Sequence, residues 1–337
     1  MVSLKKETIF LFVNTIVPYF FFFAKGYFAQ ILKVAYNLGT RRLSVSRRQS
    51  LLEIHLATVL FGLAGLFGKW LALSSSLIVL GRVVFASLAL SILLLALKQS
   101  PKKILRENFL LLAVLGFILA VHWVAFFRSI QVSSVAVGLL AYSCFPVFTV
   151  LMEPLFFKEK LDRMNLFLAA LCLGGAFLIV PRFSLADAVY QGVLWGLFSG
   201  FSFALLAVFN RRLAQAYSSL AIAFFEDVAA AIFLLPFLFF YPSSLTARDI
   251  LLLAFLGVVC TAGSHTLFIK GLRRVRAQTA SIISTLEPVY GIALAYLMLG
   301  EAPSLRTLEG GLVILSAVLM ISAREATRLL NRSRPSS

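Results

Sequence analysis

The sequence predicts an all-α integral membrane protein of ten transmembrane helices, arranged as two inverted five-helix repeats with both termini cytoplasmic. Three observations lead there. The chain of 337 residues is 61% hydrophobic and 13% charged, whereas soluble domains are about 45–50% apolar and about 25% charged. Its charges fall in short clusters between apolar runs of about 17–25 residues, the length at which a helix crosses about 30 Å of hydrocarbon. Strands of an outer-membrane barrel would alternate over about ten residues instead, and no such window occurs. Finally, a proline-interrupted pattern is used twice. Cys144-Phe145-Pro146-Val147 leads to Lys158-Glu159, and Glu287-Pro288-Val289-Tyr290 leads to Gly300-Glu301, so each proline precedes its glutamate by thirteen residues. An internal repeat with broken spans is the mark of a transporter built from two related halves.

Residues 1–50 form an N-terminal extension. Thr8 to Ala24 is apolar but short, with Lys5 and Lys6 before it and Lys25 after it, and it has no small-residue cleavage site. It reads as an extra or re-entrant helix, an interfacial anchor, or upstream sequence from a wrongly chosen start, the last two together being favoured. Arg41, Arg42, Arg47 and Arg48 then precede the first of the ten spans. The ten spans are expected at about 54–73, 77–97, 109–128, 132–153, 164–180, 190–209, 219–240, 250–270, 278–299 and 308–323.

Lysine and arginine collect in alternate connections: Lys98, Lys102, Lys103 and Arg106; Lys158, Lys160 and Arg163; Arg211 and Arg212; Lys270, Arg273, Arg274 and Arg276. The connections between these hold only Arg128, Arg182, Arg248 and Arg306. Basic loops stay in the cytoplasm, which places both termini there. The basic tail 324–337 agrees. The same rule accounts for the net charge of +17 without a nucleic-acid partner.

Superimposing the halves, 51–181 on 188–323, at an offset of 142 residues sets Pro146 on Pro288, Arg128 on Lys270 and Glu159 on Glu301. Five helices per half is an odd number, so the second half lies upside down relative to the first.

Each half opens with an aromatic-glycine run, Phe61-Gly62-Leu63-Ala64-Gly65 and Trp195-Gly196-Leu197-Phe198-Ser199-Gly200. Arg82 falls early in the second helix, and the halves' fourth helices close with Phe157-Lys158-Glu159 and Leu299-Gly300-Glu301. In this order and spacing the motifs resemble the EamA type of the drug/metabolite transporter superfamily over about residues 51–323. Lys158 stands where the family usually has Gly, and residues 1–50 fall outside the pattern. The resemblance implies a secondary transporter of amino acids or related metabolites, commonly in the export direction, in the bacterial inner membrane.

Polar groups inside apolar runs are the candidate site, because ionisable residues at membrane depth are costly unless they have work to do. Glu287 reads as a contact for a substrate amine, a proton carrier, or a protonated carboxyl in a structural hydrogen bond. Arg82 and Asp227, on equivalent second helices, read as a structural pair, a gating pair, or a contact for a substrate carboxylate. His122-Trp123 and Ser264-His265 occupy matching repeat positions; His122 reads as a packing residue or a coupling residue. Pro146 and Pro288 break their helices, and Tyr142, Ser143 and Tyr290 beside them supply hydroxyls to a cavity. Trp123, Trp195 and His265 complete the expected lining. Gly62, Gly65, Gly68, Gly192, Gly196 and Gly200 form smooth faces for close helix approach.

Cys144, Cys172 and Cys260 are isolated in sequence and suggest packing alone. No HExxH, GxSxG, P-loop lysine motif or acidic metal cluster occurs, so neither an enzyme nor a metal or other cofactor is expected. The expected partners are a small-molecule substrate and the lipid bilayer, with proton coupling or exchange as the drive and a monomer or homodimer as the assembly. The alternatives are a nucleotide-sugar or other larger-metabolite exchanger of the same superfamily, and an integral-membrane enzyme or non-transporting scaffold.

Overall fold

A computed structural model describes residues 47–157, 163–240, 245–275, 280, 283–284 and 286–332. Most of the N-terminal extension, Lys158-Glu159, and the end of the basic tail lie outside them. Every regular element among the described residues is helical. In chain order they are α1 (Arg47–Gly65), α2 (Phe67–Trp70), α3 (Ser75–Ala96), α4 (Lys102–Val132), α5 (Val135–Tyr142), α6 (Phe145–Phe157) and α7 (Arg163–Leu178). Then come α8 (Ala188–Ala216), α9 (Ser219–Leu234), α10 (Phe237–Phe240), α11 (Ala247–Gly257), a π-helical turn (Val258–Gly263), α12 (Ser264–Gly271), α13 (Glu287–Leu299) and α14 (Leu305–Arg332).

Seven runs of these helices are long and apolar enough to cross a membrane: Arg48–Trp70, Ser75–Ala96, Lys102–Val132, Val135–Met152, Ala188–Ala216, Ser219–Phe240 and Ala247–Gly271. The apolar helices Leu166–Leu178 and Glu287–Leu299 are shorter.

Local chemistry sets the boundaries. The hydroxyls of Ser74 and Ser134 accept from the backbone N–H groups of Leu77 and Val137, and the Asp187 carboxylate accepts from Tyr190. These N-caps satisfy donors that a helix start leaves open. Thr246 and Asp249 cap α11 reciprocally. Gly300, at φ +64°, ends α13 in the left-handed conformation that glycine adopts without strain.

The prolines act differently from a mid-span kink. α5 stops at Tyr142, α6 starts at Phe145, and α13 starts at Glu287, so Pro146 and Pro288 are each the second residue of a new helix. A proline lacks an N–H, and the first turn is where none is needed. Glycines of the opening helices press onto these breaks. A methyl group on Gly62 would lie 3.0 Å from the Glu287 carbonyl oxygen, and one on Gly200 would lie 2.8 Å from that of Tyr142.

Around the breaks, α4 packs against α8 and α9, while α11 and α12 pack against α3 and α1. α8 covers α5 and α6, α13 covers α1, α3 meets α9, α13 meets α5, and α7 pairs with α14.

Both ends of the bundle are tied. At one end Lys69 Nζ donates to the Ser133 carbonyl at 2.9 Å, Gln131 to that of Leu73 at 2.8 Å, and Arg248 to that of Trp70 at 3.2 Å. There too the Glu301 carboxylate accepts from the Val135 N–H at 2.7 Å, capping α5 from the other half of the chain. At the opposite end Tyr217 donates to Glu107 at 2.5 Å and accepts from Asn108 at 2.9 Å, while Arg273 donates to the Tyr217 carbonyl at 2.9 Å. The Glu107 contact lifts the Tyr217 hydroxyl above the ordinary tyrosine range. Lys270 and Glu53 pair at 2.6 Å, joining α12 to α1.

Candidate functional site

Polar side chains from five helices converge on a cavity at the centre of the bundle. Arg82 reaches it from α3, His122 and Trp123 from α4, Asn210 from α8, His265 from α12 and Glu287 from α13. Tyr142 at the end of α5 and the rings of Phe61, Phe126, Phe203 and Phe268 complete the walls. The free volume is about 30 Å³, room for about two waters. The aromatic rings fill the remainder. Phe203 stands edge-on to Phe145 at 4.9 Å and to Tyr142 at 5.6 Å, and lies 5.4 Å from Phe268.

Arg82 is 1% exposed and is held by three groups. Its Nε donates to Thr261 Oγ1 at 2.9 Å and its Nη2 to the Cys260 carbonyl at 3.5 Å. Its guanidinium carbon sits 3.8 Å above the centre of the Trp123 ring, close enough for a cation–π attraction. The π-helical turn explains the first pair of contacts. One extra residue per turn lets the Thr261 hydroxyl donate back to the Leu256 carbonyl at 2.8 Å while its lone pair faces Arg82.

Among the described residues no carboxylate lies within 4 Å of Arg82. The expected partner, Asp227, instead has its Oδ1 3.9 Å from His265 Nδ1. Thr261 and Trp123 satisfy the guanidinium first, and Asp227 looks toward α12.

His122 Nδ1 lies 2.9 Å from the Ser199 carbonyl. The Ser199 hydroxyl lies 3.0 Å from the same nitrogen, so Ser199 holds the ring through Nδ1. His265 Nε2 and Asn210 Nδ2 each reach Glu226 Oε2 at 3.2 Å. Glu287 is 2% exposed, and its Oε2 has no hydrogen-bond partner. Lying in the first turn of α13, its carboxylate faces the positive end of that helix's dipole.

The structure brings together Arg82, His122, Trp123, Tyr142, His265 and Glu287 of the residues expected from sequence. Asp227 lies behind this layer, in reach of His265. Trp195 is a correction: it is 40% exposed, on the outside of α8 beside Phe198. Gly192 and Gly196 turn the buried face of α8 toward α4 and α5, and Trp195 is about 100° around the helix from Gly196. Ser143 and Tyr290 also fall outside the cavity wall. The Ser143 hydroxyl donates to the Leu139 carbonyl at 2.7 Å, and Tyr290 packs beside Gly62. Pro146 and Pro288 shape the breaks without lining the cavity.

Several site residues escaped the sequence reading. Phe203, Leu206, Ala207 and Asn210 share one stripe of α8 at helical spacing; their pattern was present, but an apolar helix in lipid shows apolar stripes on every side. Glu226, next to Asp227 in the chain, is another. Cys144 and Cys172, isolated in sequence, come within 3.5 Å sulfur to sulfur in the first half and remain free thiols.

Residues 49–180 and 190–323 each match the EamA-like transporter family. The chain is 25% identical over 289 residues to the uncharacterized transporter YxxF of Bacillus subtilis, covering 83% of this chain and 93% of that one. It is 26% identical over 293 residues to the uncharacterized inner membrane transporter YicL of Salmonella typhimurium, covering 82% and 96%. Similarity to the pseudopaline exporter CntI of Pseudomonas aeruginosa is 26% over 245 residues, covering 71% and 85%.

Proposed function

The chain belongs to the EamA-like transporter family and is a multi-pass protein of the bacterial inner membrane; from that premise we propose that it moves a small zwitterionic metabolite, an amino acid or a close relative, by alternating access. One observation carries the substrate class. Arg82 and Glu287, opposite in charge and both almost wholly buried, line one cavity without pairing to each other among the described residues. A substrate carboxylate is taken by the guanidinium fork and a substrate ammonium by Glu287. Trp123, Phe203 and Phe268 receive an apolar side chain.

The scaffold we propose is the ten-span inverted repeat of residues 51–181 and 188–323, with both termini cytoplasmic. Its support lies in the packing. Exchanging the halves maps the α4–α8 contact onto that of α12 with α1, the α4–α9 contact onto that of α11 with α3, and the contact of α8 with α5 and α6 onto that of α13 with α1. The pairs α3–α9, α5–α13 and α7–α14 map onto themselves. The helix starts at Phe145 and Glu287 also differ by the repeat offset of 142 residues.

With both ends tied and only about 30 Å³ free at the centre, this conformation corresponds to the occluded stage of the cycle. Release of the Lys69, Arg248 and Glu301 contacts opens one end, and release of the Tyr217 contacts opens the other. The resemblance and the exporter among the relatives favour the outward direction.

Counterflow in proteoliposomes tests this reading. Vesicles loaded with unlabelled amino acids and given labelled ones outside are expected to accumulate label with the wild type. Glu287→Gln should lower the initial rate by about tenfold or more, the loss of one charge-assisted contact. Wild-type vesicles that exchange no amino acid, or a Glu287→Gln protein as fast as wild type, would overturn it.

A further inference from the structure

Behind the cavity, on the α9 side, is a second group of ionisable side chains that substrate recognition does not use. Glu226 and Asp227 are both 0% exposed. Glu226 Oε2 receives Asn210 and His265, each at 3.2 Å. Glu226 Oε1, Asn210 Oδ1 and both oxygens of Asp227 meet no donor at all. Asp227 thus makes no hydrogen bond and has only the 3.9 Å approach of His265, and Asn210 and His265, which close the group, also line the cavity.

The geometry around His265 calls for a proton. With Glu226 ionised, its carboxylate only accepts, so the Nε2 that faces it carries a hydrogen. A neutral ring then presents a lone pair from Nδ1, which has no hydrogen-bond partner and has Asp227 Oδ1 at 3.9 Å. A lone pair facing a carboxylate oxygen in weakly screening surroundings is repulsive. One proton, on Nδ1 or on Oδ1, turns repulsion into attraction. The charge count agrees. Glu226, Asp227 and Glu287 are three buried acids, and among the described residues Arg82 is the one permanent cation of the groups that face them, the others being His122, Asn210 and His265.

We propose that Asp227 and His265 hold the proton that couples transport to the proton gradient, with Glu226 and Asn210 orienting the imidazole. The proton comes from water on one side of the membrane, binds between Nδ1 and Oδ1, and returns to water on the other; no other bond is made or broken. Trp123 links this pair to the substrate. It lies under Arg82 at 3.8 Å and meets the His265 ring edge-on at 5.8 Å. When Arg82 shifts to take a carboxylate, the indole moves against the imidazole.

The proposal rests on the carrier reading above, and its test separates the two. Wild type, Asp227→Asn and Glu226→Gln are reconstituted as full chains, with a labelled amino-acid mixture as probe. An imposed pH gradient is expected to make the wild type concentrate label. In Asp227→Asn that accumulation should fall by about tenfold or more, while counterflow without a gradient stays within about twofold. Glu226→Gln, which replaces the charged acceptor of the imidazole with a neutral one, should weaken the gradient response in the same direction, and it serves if Asp227→Asn does not give a monodisperse protein. An Asp227→Asn protein that keeps the gradient response, or a wild type that exchanges but ignores the gradient, overturns the proposal. Wild-type vesicles with no exchange count against the carrier reading instead. Infrared titration of wild-type protein in lipid from about pH 5 to 9 then decides. A protonated-carboxyl or imidazolium band that disappears as the pH rises and is changed in the variants supports the proton site, and the absence of both bands overturns it.

Discussion

Arg82→Lys is expected to leave the protein folded and to lower transport by about a hundredfold, equivalent to about 2.7 kcal/mol of lost stabilisation. The charge is kept, so the experiment isolates geometry. Lysine has no planar fork to present to a carboxylate and no Nε to donate to Thr261, and an ammonium cannot stack flat on Trp123 as the guanidinium does. The fold should survive because Thr261 keeps its bond to the Leu256 carbonyl and the longer-range attraction to the buried acids persists. Counterflow rate and melting temperature, measured on the same preparation, check both halves of this expectation. A lysine variant that transports at the wild-type rate would mean that Arg82 serves only as a counter-charge.

The largest effect on stability is expected from Gly257→Leu. A Cβ there would lie 2.5 Å from Phe85 Cβ and 2.6 Å from the Arg82 carbonyl oxygen. Neither obstacle is the tip of a flexible side chain, so α11 and α3 must separate, and Arg82 moves with them. Overpacking costs about 1–3 kcal/mol when neighbours can adjust; here backbone has to move, and loss of monodisperse protein in size-exclusion chromatography is the expected result. Gly116, whose added methyl would overlap that of Ala229 and meet the Glu226 carbonyl at 2.9 Å, should behave alike. Gly174 supplies the control. Nothing lies within 4 Å of its Cβ position on α7, so Gly174→Ala should be neutral or gain about 0.5–1 kcal/mol from helix propensity. Equal tolerance at Gly257 and Gly174 would contradict the helix packing described above.

Much of the site was legible because polarity inside lipid-length apolar runs is conspicuous. Arg82, His122, His265 and Glu287 stand out for that reason alone, and the shared Pro-to-Glu spacing exposed both helix breaks. Orientation about the helix axis was not legible. A helix in lipid is apolar on its outer face and apolar where it packs, so hydropathy does not say which way Trp195 or Phe203 turns. The first was expected inside and is outside; the second was overlooked and is at the centre. The Arg82 partner was hidden by the π-helical turn, which adds a residue within Val258–Gly263 and turns Thr261, rather than a residue chosen by regular helical spacing, toward the guanidinium. Glu301 was expected only to close its span, and it caps a helix of the other half.

The central claim is that Arg82 and Glu287 read the two charges of one substrate. It is tested most directly by competition in wild-type counterflow, once a transported amino acid has been found, using that amino acid, its methyl ester and its N-acetyl derivative as unlabelled competitors. The parent compound should compete fully. Each derivative lacks one charge and should compete at least about tenfold less well, each having lost a charge-assisted contact. An ester or N-acetyl derivative that competes as well as the parent would show that the cavity does not read that charge, and would contradict the assignment of Arg82 or of Glu287 respectively.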